Sequence, residues 1–142
     1  MQQEYCAHYN IPAFFYEKII KGNFMEQIKN IDERVVMFFT HYEVVRKRGS
    51  LIEATRKWWR CSEDKAMSAY YVFSVISGIV QEVYIATGCH EEFDDGTAQP
   101  HFFGARKVFD LDLASDSVRA KYNGKRLPPE YIGGQNPVRY NF

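Results

Sequence analysis

The stretch Tyr70-Tyr71-Val72-Phe73-Ser74-Val75-Ile76, then Ser77-Gly78, then Ile79-Val80-Gln81-Glu82-Val83-Tyr84-Ile85-Ala86 decides the fold. Both runs are rich in β-branched and aromatic residues, which suit a pleated backbone, and the Ser-Gly break between them has the form of a two-residue hairpin turn. The pair reads as an antiparallel hairpin at the centre of a sheet. Upstream, Val35-Val36-Met37-Phe38-Phe39-Thr40-His41-Tyr42 reads as a buried strand. Downstream, Arg106-Lys107-Val108-Phe109-Asp110-Leu111-Asp112-Leu113 alternates polar and apolar, as a strand with one wet face does. Pro137-Val138-Arg139-Tyr140-Asn141-Phe142 has the character of an edge strand.

Helical signals lie between these strands. Residues 11–30 read as a helical arm, with Pro12 suited to a first turn and Phe15, Ile19 and Ile20 on one stripe. Gly22-Asn23 breaks the arm. Arg46-Lys47-Arg48-Gly49 reads as a loop. Ser50-Leu51-Ile52-Glu53 has the form of a capping box and predicts a helix over residues 51–60. Ser62, followed by Glu63 and Asp64, caps a short helix over 63–69. Residues 88–101 read as an acidic loop, and Ser115-Asp116 starts a helix reaching Tyr122. The expected fold is therefore α+β. A mainly antiparallel curled sheet or small open barrel has flanking helices, preceded by a helical arm over 1–33, with 34–142 as one domain.

The 142 residues suffice for one domain with its own core, and 46% hydrophobic against 25% charged residues is a globular balance. Eighteen Lys+Arg against eighteen Asp+Glu exclude attraction to nucleic acid or acidic membrane by global charge, leaving only local patches. Cys6, Cys61 and Cys89 are odd in number and form no CxxC pair, which predicts reduced cytosolic thiols rather than a disulfide framework. There is no long apolar run and no basic, apolar leader after Met1. A cytoplasmic protein with no membrane partner is the expectation.

Charge is unevenly spread. Arg46, Lys47, Arg48, Arg56, Lys57 and Arg60 face only Glu53 within residues 46–60, beside Trp58 and Trp59. On a helix, neighbouring tryptophans stand about 100° apart, so one is expected in the core and the other lining a groove or lying under an arginine. Arg56 and Arg60 are candidates to hold phosphate, and Trp58 or Trp59 to stack a base. The solvated face of an ordinary helix is the competing interpretation. In Gly133-Gly134-Gln135-Asn136-Pro137, the glycines permit close backbone approach, and Gln135 and Asn136 offer amides that read a planar polar ligand. A tight turn, with Asn136 bonding its own backbone, would use the same residues.

Other chemistry is weakly signalled. Cys89, His90, His101 and the acids between them lack zinc and calcium ligand spacings, so no metal or other cofactor is expected. There is no nucleophile elbow, Walker loop or dinucleotide fingerprint. Gly78-Ile79-Val80 and Tyr131-Ile132-Gly133 superficially resemble the two halves of a GIY-YIG nuclease motif but stand too far apart in the chain to form one.

Several motifs resemble a group of small bacterial and phage domains known by pattern rather than by activity. They are Glu53-Ala54-Thr55-Arg56-Lys57-Trp58-Trp59-Arg60, Ala69-Tyr70-Tyr71-Val72-Phe73, Gly78-Ile79-Val80-Gln81-Glu82-Val83-Tyr84, Lys121-Tyr122-Asn123-Gly124-Lys125-Arg126 and Gly134-Gln135-Asn136-Pro137-Val138-Arg139-Tyr140. The resemblance runs from about Arg34 to Phe142, and residues 1–33 lie outside it. It implies mobile-element or defence-associated relatives and hence nucleic acid as a ligand. The order of elements is also faintly similar to PUA-like barrels. The functional expectation is a non-enzymatic module binding nucleic acid or a nucleotide-like ligand through Arg56, Trp58, Trp59, Arg60, Gln135 and Asn136. A homodimeric interaction protein is the alternative. A hydrolase or nuclease using Glu53, Glu82 or His101 ranks last.

Overall fold

A computed structural model describes residues 5–6, 11–12, 26–93 and 105–142. Strands β1 (Tyr5–Cys6) and β2 (Ile11–Pro12) form a small antiparallel pair. The main sheet is built from β3 (Val35–Thr40), β4 (Tyr71–Ile76), β5 (Ile79–Phe93), β6 (Ala105–Leu113) and β7 (Val138–Tyr140). Its order is β6-β5-β4-β3-β7, curled into a half-barrel. Helices α1 (Tyr42–Arg48), α2 (Leu51–Arg56) and α3 (Glu63–Met67) connect β3 to β4. Helix α4 (Asp116–Tyr122) follows β6, and a 3-10 turn (Pro129–Tyr131) precedes β7. The α+β class with a curled sheet is as the sequence predicts.

The central hairpin is β4–β5, with Ser77 at φ 53° and Gly78 at φ 76°. Two positive φ values give the turn the twist that antiparallel strands require. A Cβ at Gly78 would lie 3.1 Å from Ile132 Cδ1, a tight contact to the end of an exposed side chain, so the positive φ is the main reason for glycine here. The ladder slips beside Ser74, leaving Gln81 as an extra residue in β5.

Three of the four pairings in the main sheet are antiparallel; β3 runs parallel to β4. The reason is the helical crossover between them, which returns the chain to the same end of the sheet. Both faces of β3 are covered: Val35 and Met37 enter one apolar cluster with Phe73, Val83, Tyr122 and Leu127, while Val36 and Phe38 enter another with Trp59, Val72, Tyr84 and Phe109. Burial on both sides is why this strand reads as unbroken apolar sequence.

Local expectations hold at two caps. Ser50 Oγ accepts from the Glu53 amide at 3.2 Å, and Ser62 Oγ accepts from the Lys65 amide at 3.2 Å. Four expectations differ by more than two residues or in kind. His41 and Tyr42 leave the strand, and residues 42–48 form α1 instead of continuing into a loop. The signals were present in Glu43 in the first turn, three basic residues in the last, and Gly49 at φ 88° after it. Helix α2 ends at Arg56 rather than near residue 60, because Lys57 is extended. The expected loop from residue 88 is strand as far as Phe93.

The fourth difference concerns the arm. Ile11 and Pro12 are strand, and residues 26–30 form no helix: Gln27 bridges to Arg126, and Ile28 is buried in the core. Phe15, Ile19 and Ile20 lie outside the described residues. Among the described residues, no helix is long and apolar enough to cross a membrane.

Candidate functional site

The residues singled out in the sequence fall into two separate places. The first surrounds the tryptophans. Beyond α2 the chain is extended, the Lys57–Trp58 peptide is cis, and Trp59 pairs through its backbone with Lys107 of β6 at 3.0 and 2.8 Å. Trp59 is 7% exposed, stacks on Phe38, and donates its indole N–H to the Thr55 carbonyl at 2.8 Å. It is a core residue with no face left for a base. Trp58 is half-buried, and the Arg48 guanidinium lies 4.8 Å and the Lys57 ammonium 5.2 Å from its ring centre. One tryptophan in the core and one under an arginine is the expected division, reached without the helix assumed for it.

The Trp58 indole N–H is buried and, among the described residues, makes no hydrogen bond of good geometry, although it approaches the Glu92 carboxylate closely enough to help hold its pKa down. The hydrogen bond from His90 to Glu92, 2.6 Å long, is the larger cause of that shift. Arg48 also donates to the carbonyls of Ala54 and Lys57, completing the open end of α2.

Arg56 is committed to its own fold. It donates to the Phe109 carbonyl at 3.0 Å and to Glu53 at 2.8 Å, and it approaches Asp110 at 3.4 Å. The Glu53 hydrogen bond is the main reason its pKa is raised. Burial acts to raise the Glu53 pKa, but the bonds from Arg56 and Lys57 outweigh it and hold the carboxyl below its usual range. Arg60 is exposed.

The second place is a cleft of about 310 Å³ where the parallel strands β3 and β4 end. Phe39, His41, Ser77, Gln135, Asn136 and Arg139 are among its walls, and Arg56, Trp58, Trp59 and Arg60 are not. The two groups of candidates do not share this concavity. Asn136 Oδ1 accepts from the Val138 amide at 3.0 Å, which is the turn interpretation, and this leaves its N–H2 group for other partners. The Arg139 guanidinium lies 4.7 Å from the Phe39 ring centre and donates to the carbonyls of Tyr131 at 2.6 Å and Asn136 at 2.9 Å. Gly134, at φ 77°, lets it approach: a Cβ there would stand 3.3 Å from Arg139 Nη2.

Sequence reasoning missed Phe39, His41, Ser77 and Arg139. Arg139 could have been found by alternation, since it must face opposite to the buried Val138. The other three reach the cleft only because β3 and β4 are parallel neighbours.

The carboxylates considered for hydrolysis are occupied. Glu82 is fully buried, receiving Arg119 at 2.8 and 3.0 Å, Asn123 at 2.7 Å and the Val83 amide at 3.1 Å. Completely buried and held by these donors, the carboxylate is closed to substrate. Burial pushes the Cys61 and Cys89 thiols up to about 11, far from a reactive thiolate. His101 lies outside the described residues. Among the described residues, no group of three or more His, Cys, Asp or Glu could hold a metal ion. Comparison with family models, curated proteins and solved structures gives no match for this chain.

Proposed function

We propose that this chain is a non-enzymatic binding module and that the cleft at the ends of β3 and β4 takes a nucleotide-like ligand. One observation carries the reading: Gln135, the free amide group of Asn136 and the Phe39–Arg139 stack converge on one concavity beside exposed glycine backbone. A planar heterocycle needs a flat partner and amide donors and acceptors along its edge, and these residues supply both. Arg139 contributes position more than charge, because carbonyls already engage its guanidinium. The buried Trp59 and the paired Arg56 have no part in it.

Titration of the four nucleoside monophosphates, followed by calorimetry or by NMR shifts of residues 133–139, tests this. Saturable binding of at least one, weakened about ten-fold by Gln135→Ala and unchanged by Arg60→Ala, is expected on the scale of one lost hydrogen bond. Absence of binding at millimolar nucleotide, or indifference to Gln135→Ala, overturns it.

A further inference from the structure

The opposite ends of β3 and β4 carry an aromatic and cationic row remote from the cleft. Val35 stands opposite Tyr71 in the parallel ladder, and Val36 opposite Tyr140 in the antiparallel one. Continued past these pairs, the register sets Tyr70, Arg34 and Phe142 side by side on one face of three adjacent strands. The contacts agree. The Tyr70 amide donates to the Arg34 carbonyl at 2.8 Å, and the Arg34 guanidinium lies 4.1 Å from the Phe142 ring centre. From α3, the Lys65 ammonium lies 4.4 Å from the Tyr140 ring centre and 5.6 Å from that of Phe142. The Tyr140 and Phe142 rings meet edge-on at 5.4 Å.

Two properties say what this row is built to meet. Tyr70 is 66% exposed, an unusual position for a large ring. No described carboxylate neutralises either cation: Arg34 donates to the Ser68 hydroxyl at 3.2 Å, while Asp32 and Glu33 turn to Lys121 and Glu63 to Lys107. Among the described residues, neither Arg34 nor Lys65 forms an ion pair. Stacking on rings fixes both cations without consuming their charge, and the guanidinium edge keeps donors for an anion.

We propose that this row binds single-stranded nucleic acid, with Tyr70 stacking a base and Arg34 and Lys65 holding the adjoining phosphates. A flexible single strand offers flat faces and recurrent anions at short spacing, and stacking is indifferent to base identity. An acidic peptide would satisfy the cations but bring no flat face to Tyr70. The proposal does not rest on the cleft, which lies at the other ends of the same strands.

Fluorescence anisotropy of a short labelled oligothymidylate, over about 50–200 mM salt, tests it. Two phosphate contacts predict a log–log slope of about −1.4, flattened by about 0.7 in Arg34→Gln and again in Lys65→Gln. Tyr70→Ala is expected to weaken binding about ten-fold at every salt concentration, and Tyr70→Phe to retain it. Gln135→Ala, which tests the cleft, is expected to leave this binding unchanged. The proposal is overturned if the folded protein does not bind at low salt. It is also overturned if the Tyr70, Arg34 and Lys65 variants bind like the parent, or if an acidic peptide competes as well as the oligonucleotide.

Discussion

Trp59 lies face to face with Phe38, their ring centres 4.7 Å and their planes 11° apart, which locks the segment after α2 onto the sheet. The adjacent Trp58 sits outside that stack, between basic side chains. Trp59→Ala is expected to cost about 3–5 kcal/mol, as deletion of a buried aromatic does. Trp58→Ala is expected to cost about 1–2 kcal/mol through lost cation–π contact and partial burial. Urea unfolding of both variants checks the difference, and equal losses would contradict the division of roles.

Strand β4 has a partner on each side, β3 and β5, and residues 72–76 are buried. Its amides are expected to exchange hydrogen by global unfolding alone, whereas those of the short edge strand β7 exchange through local fraying. Native-state exchange measured against denaturant resolves the two classes. Early exchange across residues 72–75 would remove β4 from the centre.

Glu33 links stability to pH. Burial works to raise its pKa, yet the hydrogen bond from the Tyr122 hydroxyl and the nearby Lys121 carry it below the ordinary 4.5. A carboxyl depressed in the folded state contributes stability that is complete above its unfolded pKa and is lost as pH falls through the folded one. Glu53 behaves in the same sense. Stability is therefore expected to be level above about pH 5 and to decline below pH 4.5, with a shallower decline in Glu33→Gln. Unfolding free energies collected from pH 3 to pH 7 decide this, and parallel curves for parent and variant would refute it.

The thiols of Cys61 and Cys89, both pushed up to about 11 by burial, are expected to react slowly with iodoacetamide at pH 8. In a Cys6→Ser background, alkylation is expected to accelerate sharply once denaturant opens the fold. Fast labelling of the folded variant, read by mass spectrometry, would show that one of these sulfurs is activated.

The amino-acid sequence alone determined the elements whose cause is local. The hairpin turn follows from Ser77-Gly78, the α2 and α3 starts from the Ser50 and Ser62 hydroxyls, and the α+β class from runs of β-branched and aromatic residues. Helix α1 was equally legible in its charge pattern and its terminal Gly49, but the apolar residues before it favoured a longer strand. What no local pattern could decide was which distant residues meet. The parallel pairing of β3 with β4 depends on the crossover between them, and it alone brings Phe39, His41 and Ser77 to the cleft where Gln135 and Asn136 lie. Trp58 and Trp59 are identical as residue types; Trp59 became core because its backbone pairs with Lys107 and its ring finds Phe38. Burial is a property of the assembled sheet, so the same side chain is a ligand platform or a packing element according to neighbours far away in the chain.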